Sequence, residues 1–365
     1  MSGGSPMKAA ALLLTLPLAA PGLQAAESTR TLNLALSGDP TRPFAVENLV
    51  GTMRVVPGSG DSVSAVASVH AENEALAASI RFEQVTGEHG VPTLRVRYPV
   101  DRYQTYRSPS SKGHGGLLGF LLDGSSDVRY DGTRVHVSGG SGVLVYADVE
   151  VQLPRKAVDG RFLNRVGPLE GREITGKLWF DTSSGDVTLR RIEGDAVVDT
   201  GSGDVDASGI EGSFRCDTGS GDCSVDSFKG DRLSCDTGSG EVRLHGVEAR
   251  QVDIDTGSGG VRLEEASADE IQVDTGSGNV AIQADGSRLR RVKADTGSGS
   301  VRLRLGPEAA FEARASVGSG DIVSRYPDAQ PILKQREVIG YRRGDGRTRI
   351  DVDTGSGDLV LDPGD

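Results

Sequence analysis

Cysteine is scarce in this 365-residue chain: there are three, in no spacing that points to a zinc site. Positive charge is in deficit, with 40 Lys and Arg against 52 Asp and Glu and a net charge of −12. That excludes a nucleic-acid binder held by phosphate attraction and argues against docking to a membrane surface through a basic patch. Beyond the N-terminus there is no run of 18 apolar residues, so no helix is long enough to cross a bilayer. Aromatic residues make up 4%, and Trp179 is the only Trp. The five His are scattered and suggest no site.

The N-terminus reads as a leader. Lys8 precedes an apolar run over 9–20 that Pro17 interrupts, and the small residues Ala25 and Ala26 follow. This is the pattern of a secretory signal peptide, although Gln24 or Leu23 stands where a small residue is usual. The expectation is a signal peptide over 1–26 and an exported chain, periplasmic, at the cell surface or secreted.

Glycine is abundant, at 51 residues, and it is periodic. The pentapeptide D-T-G-S-G begins at Asp199, Asp217, Asp236, Asp255, Asp274, Asp295 and Asp353, with worn copies at Asp181 and Ser316. Successive starts are 18 to 21 residues apart, apart from a final gap of 37 that holds one worn repeat or an insertion. A fixed period of this length is the signature of stacked repeats.

Within each period, apolar residues alternate on both sides of the motif. Val252 and Ile254 precede one copy, and Val261 and Leu263 follow it. Alternation with period two means a strand with an inside and an outside. The predicted fold is therefore all-β: a single-stranded β-helix, or β-solenoid, of stacked coils of about 18–21 residues with two strands per coil. Nine coils make a rod of roughly 40 Å. The expected divisions are the leader over 1–26, a β-rich N-terminal region over 27–165 with a flexible loop at 101–127, and the repeat solenoid over 166–365. The loop contains the apolar run 116–122. A hairpin of 337–341 with 347–352, turning at Gly344-Asp345-Gly346, is expected to cap the open end.

The motif itself reads as a corner. Its Thr falls on the inward parity. Its Asp lies outward, where it can cap turn amides. The paired glycines, Gly201 and Gly203, Gly219 and Gly221, Gly238 and Gly240, Gly257 and Gly259, Gly276 and Gly278, Gly297 and Gly299, and Gly355 and Gly357, allow a tight turn that often needs positive φ. Stacking puts Asp199, Asp217, Asp236, Asp255, Asp274 and Asp295 in one outward ladder. A second, interrupted ladder runs through Asp186, Asp204, Asp222, Glu241, Asp321 and Asp358. No cofactor is expected. Ca²⁺ is the one ion the outward ladder could take, since stacked carboxylate oxygens suit it.

Other motifs dissolve on inspection. D-T-G-S matches the aspartic-protease motif, but that chemistry needs one carboxylate pair sharing a proton, and a repeated row selects none. The stretch from Gly171 to Lys177 nearly matches a phosphate-binding loop, yet Leu178 stands where Ser or Thr is needed. Arg343-Gly344-Asp345 is an integrin-type tripeptide already explained as a turn. Cys216 and Cys235 fall in one inward column and Cys223 in another. Adjacent parallel positions give poor disulfide geometry, so free buried thiols are expected.

These repeats, with the lead-in Leu169-Glu170-Gly171 to Phe180-Asp181 and the segment Tyr146 to Pro154, resemble the bacterial toast-rack family (the DUF4097 group), which also carries an adhesin label. The resemblance covers the chain from about Phe44 onward. It implies an exported or envelope-associated β-helix and brings no catalytic residues. The expected function is non-enzymatic: an adhesin, envelope scaffold or stress-sensing module whose partner is an envelope or extracellular protein or glycan. The alternative is a carbohydrate-active enzyme on a β-helix, which would need aromatic sugar platforms that this composition hardly supplies.

Overall fold

A computed structural model describes residues 28–364 except 37, 88–89 and 109–124. The leader over 1–26 and the apolar stretch 116–122 lie outside the described residues.

Six consecutive strands form the heart of the stack: Leu169–Thr182, Val187–Thr200, Val205–Thr218, Cys223–Thr237, Val242–Thr256 and Val261–Thr275. Each pairs in parallel with the next, motif against motif, so that Asp199 lies opposite Asp217 and Thr200 opposite Thr218. Alternate residues are buried along every one of them. In these coils the two expected segments run on as one bent strand. The bend sits at a column of left-handed residues, Glu173, Arg191, Gly209, Ser227, Gly246 and Glu265, with φ between 51° and 63°. Only two of them are glycine, so the other four hold a conformation that costs L-residues energy, and coil stacking must supply it. Farther along, the segments separate, as in Val280–Ala284 with Arg291–Thr296.

The stacking order departs from the chain order at the end. The last coil, Thr348–Thr354 with Leu359–Pro363, pairs on one side with Arg291–Thr296 and Val301–Leu305. On its other side it pairs with the earlier segments Phe311–Val317 and Ile322–Ser324. The ladder thus runs Asp295, Asp353, Ser316 in space. The 37-residue gap is an insertion, whose strands Gln330–Lys334 and Glu337–Arg343 form an antiparallel hairpin. Gln335 and Arg336 make its tight turn, with φ of 53° and 75°. Glu337–Arg343 also pairs antiparallel with Phe311–Val317 and so covers that edge. A cap exists, but it is not the expected pairing of 337–341 with 347–352. The latter segment stacks between two coils, where Ile350 and Val352 become buried.

The N-terminal segments are interleaved in the same way. Phe44–Val50 pairs in parallel with Val158–Val166, and Met53–Pro57 with both Leu169–Thr182 and Val143–Leu153. Strand pairing therefore runs across residue 165. Antiparallel strands finish this end: Ser64–Ala71 on Val143–Leu153, Ser28–Ala35 on Ser64–Ala71, and Arg81–Thr86 on Pro92–Arg97. The short helix Glu74–Ser79 is capped by Asn73, whose side chain accepts from the Leu76 amide at 2.9 Å.

The core is a set of columns. Phe44, Phe162 and Phe180 follow one another with ring centroids 6.1 and 5.3 Å apart, the first pair edge to face and the second tilted. Where the interleaved segments meet, Asn48 and Asn164 are fully buried. Asn48 Nδ2 donates to Asn164 Oδ1 at 3.0 Å and to Ala147 O at 2.9 Å, while Asn164 Nδ2 donates to Gly51 O at 2.7 Å. Buried amides that satisfy distant backbone carbonyls fix which segments meet, because a wrong partner would leave them unpaired.

Candidate functional site

The corner motif is built by its Thr. Thr237 Oγ1 donates to Gly221 O of the preceding coil at 2.8 Å and accepts from the amide of Gly240 at 3.0 Å. The same pair of bonds recurs at Thr200, Thr218, Thr256, Thr275, Thr296 and Thr354. Each hydroxyl thus closes its own corner and clamps it to the coil before. The expectation that the motif Asp caps the turn gives way to this: the amide that needs a partner is buried, and the inward Thr reaches it.

The glycines also act differently from expectation. None of the fourteen has a positive φ. Their requirement is close approach. A Cβ on Gly203 would overlap the carbonyl oxygen of Gly185, and one on Gly221 the carbonyl oxygen of Gly203; this repeats at Gly240, Gly259, Gly278, Gly299 and Gly357. The first glycine of each motif meets the carbonyl of the corresponding residue one coil earlier, as Gly219 meets Gly201.

The two acidic ladders have separate roles. The second ladder faces the backbone: the amide of Asp204 donates to Asp186 Oδ1 at 3.0 Å, that of Asp222 to Asp204 Oδ1 at 2.9 Å, and that of Glu241 to Asp222 Oδ1 at 2.8 Å. Asn279 accepts from the Ser300 amide and Asp358 from the Asp321 amide, both at 2.9 Å. This column does the capping, between coils.

The first ladder, Asp199, Asp217, Asp236, Asp255, Asp274 and Asp295, stands outward in continuous register and carries on to Asp353. Burial pushes the Asp199 carboxyl above the usual carboxylate range, and the charge on Asp217 adds to the shift. Asp255 is raised likewise, by burial and then by Asp236 and Asp274 on either side. At Asp199 and Asp255, therefore, burial first and a like-charged neighbour second oppose the charge of these ladder carboxylates. They stand in single file, and among the described residues no three His, Cys, Asp or Glu converge as a metal would require.

Where the ladder ends, a cleft opens. Its floor carries Lys293, Asp295, Asp351, Asp353 and Arg314, and the cap hairpin overhangs it with Lys334, Glu337 and Val338; its volume is about 690 Å³. On the hairpin, Leu333 and Val338 lie opposite each other and are 60% and 38% exposed.

Sequence reasoning missed one charged cluster altogether. Glu47 is buried between two guanidinium groups, Arg95 at 2.7 Å and Arg165 at 3.2 Å. Arg95 continues to Asp131 at 2.6 Å and Arg165 to Asp181 at 3.2 Å. These residues are far apart in the chain and nothing local marks them. The integrin-type tripeptide is not presented to solvent as a unit: Arg343 is tied to Asp328 at 2.6 Å and to the Ala309 carbonyl at 2.7 Å, and lies over the Tyr326 ring.

Residues 147–362 match the family model described as Toastrack DUF4097. Among solved structures, similarity is found to a "putative lipid binding protein" from Parabacteroides distasonis, at 12% identity over 91% of this chain and 96% of that one, with a TM-score of 0.40. A "putative adhesin" from Bacteroides fragilis matches at 10% identity over 93% of this chain and 100% of that one, with a TM-score of 0.36. A "putative cell adhesion protein" from Clostridium sporogenes matches at 11% identity over 93% and 100%, with a TM-score of 0.18. No curated protein matches the chain.

Proposed function

Since this chain belongs to the Toastrack DUF4097 family, we propose that it is a non-enzymatic, exported envelope protein that holds a partner along its laddered face, as an adhesin or scaffold. The observation that carries this reading is the outward column from Asp199 through Asp295 to Asp353. It offers like charges at the spacing of the strands, roughly 4.8 Å, along a rigid stack. A partner with repeated cationic groups, on an envelope or extracellular protein or glycan, offsets the neighbouring charge that adds to burial in raising Asp199 and Asp255. Ca²⁺ bridging between the ladder and an anionic partner is the same chemistry with the ion as intermediary. The leader over 1–26 delivers the chain, and the solenoid over 166–365 supplies the surface.

The test is capture of envelope and extracellular-matrix fractions on the immobilised chain, with and without Ca²⁺. A variant with Asp236, Asp255 and Asp274 all changed to Asn serves as the control. Saturable capture that weakens with salt and in the triple variant supports the reading. No capture under either condition overturns it. Turnover of a polysaccharide that is lost when a single carboxylate is changed would replace it with the enzymatic alternative.

A further inference from the structure

Three thiols meet in the core of two adjacent coils. Cys216 belongs to Val205–Thr218, while Cys223 and Cys235 begin and nearly end the strand Cys223–Thr237. All three are buried. Cys216 and Cys235 are register partners on neighbouring parallel strands, so their Cβ vectors run side by side. That arrangement is poor for a disulfide. Cys223 and Cys235 are related differently. They sit in the two segments of one bent coil and face each other across its interior, with Sγ atoms 3.1 Å apart.

The neighbouring coils show what normally occupies these two facing columns. One column reads Val187, Val205, Cys223, Val242, Val261, and the other reads Val198, Cys216, Cys235, Ile254, Val273. Only the coil of Cys223–Thr237 has cysteine on both sides. Two thiols fill less space than the Val242 and Ile254 pair of the following coil or the Val187 and Val198 pair two coils before, and a packed core loses stability with lost volume. A bond between them restores the contact.

The position has a mechanical reason too. The strand register shifts between Gly212 and Phe214, where the 14-residue coil Val205–Thr218 meets the 15-residue coil Cys223–Thr237. A bulge is the weak point of a ladder, since one residue is left unpaired. A link across the coil that accommodates it holds the two segments together there.

We propose that Cys223 and Cys235 form a disulfide across the core of this coil, leaving Cys216 as a free thiol. Each thiol gives up its proton and one electron, the S–S bond forms, and the two electrons reduce an exogenous disulfide of the glutathione class to two thiols. Within the cluster the shifts are opposed: hydrogen bonding to Cys216 and Cys235, together with burial, raises the Cys223 pKa well above its ordinary value, while hydrogen bonding to Cys216 and Cys223 lowers that of Cys235 to about 5. Cys223 and Cys235 are both buried beyond the reach of a dissolved disulfide once the stack has formed, so the bond is set while the coil folds.

The full chain is unfolded under reducing conditions and refolded in a mixture of reduced and oxidised glutathione. The expected product is lighter by two hydrogen atoms and retains one titratable thiol after denaturation. Its non-reduced peptide map joins Cys223 to Cys235. The Cys216→Ser variant keeps the link, and the oxidised protein melts several degrees above the reduced one. Three titratable thiols after oxidative refolding, or a map that joins Cys216 to either partner, overturns the proposal. The wild-type map decides even if a cysteine variant folds poorly.

Discussion

The backbone amide of Glu241 donates to Asp222 Oδ1 of the preceding coil at 2.8 Å, and the other oxygen of that carboxylate takes Arg243 at 2.7 Å. One side chain thus joins two coils through backbone and charge at once. The outward neighbour in the motif, Asp236, has no such duty. The difference between the two acidic columns sets their expected responses to mutation.

Burial alone would raise the Asp222 pKa, but the bonds from Arg243 and the Glu241 amide outweigh it and hold the carboxyl below 3.8. A depressed folded pKa contributes stability above pH 3.8 that is lost as pH falls through the folded value. Asp222→Ala should cost about 1 kcal/mol at neutral pH, toward the low end for a charged hydrogen bond because the site is partly exposed. In urea titrations at several pH values, the gap from wild type should shrink below pH 3.8.

Asp255 has the opposite sign. Its folded pKa is raised, so ionisation opposes folding above that pKa, and the opposition fades as pH falls toward 3.8. Asp255→Asn should stabilise the stack by up to ~0.5 kcal/mol, a small gain because exposed charges are screened. The gain should diminish in high salt and toward pH 4, both readable from the melting temperature.

Thr237→Val keeps the shape of the side chain and removes its hydroxyl. The Gly240 amide and the Gly221 carbonyl then lose a buried partner. The expected loss is ~1–3 kcal/mol for leaving such groups unsatisfied. The variant should also show faster amide exchange at Gly240 while distant coils stay protected.

Gly221→Ala tests close approach against turn conformation. The φ of Gly221 is not positive, so a turn requirement alone would make alanine tolerable. The added methyl instead meets the carbonyl of Gly203. The expected cost is ~3 kcal/mol or more, the upper range for overpacking. A substitution of the exposed Ser220 should be close to neutral in the same chemical-denaturation assay.

Removing residues 348–365 takes out the coil that lies between Arg291–Thr296 and Phe311–Val317. Two parallel edges lose their partner, and open edges pair with other chains. Size-exclusion chromatography should show larger species than the full chain gives, and a synthetic peptide spanning 346–365 should return the truncated chain to the elution of the full chain.

Much of the fold was legible in one dimension. The period set the coil. The alternation put Val252, Ile254 and Thr256 inside and Asp253 and Asp255 outward, as the burial pattern shows. The motif residues were recognised too, but two of their roles were misjudged. A glycine has the same letter whether it serves a positive φ or a close approach, and only the position of the next coil separates them. Glu47, Arg95 and Arg165 were invisible because a charge cluster assembled from distant strands leaves no local pattern.

Stacking order was the other matter beyond the reach of the chain read alone. Every intact copy carries the same Thr, glycines and apolar columns, so Val352-Asp353-Thr354 fits equally well beside Asp295 or at the far end. Order is decided by which arrangement buries both faces of each coil and covers the last edge. That places the final coil inside the stack, residues 53–57 between 143–153 and 169–171, and residues 44–50 between 92–97 and 158–166. Periodicity is a property of local sequence, whereas choosing among equivalent neighbours depends on the buried Asn48 and Asn164 and the antiparallel hairpin of Gln330–Lys334 and Glu337–Arg343, whose partners lie far along the chain.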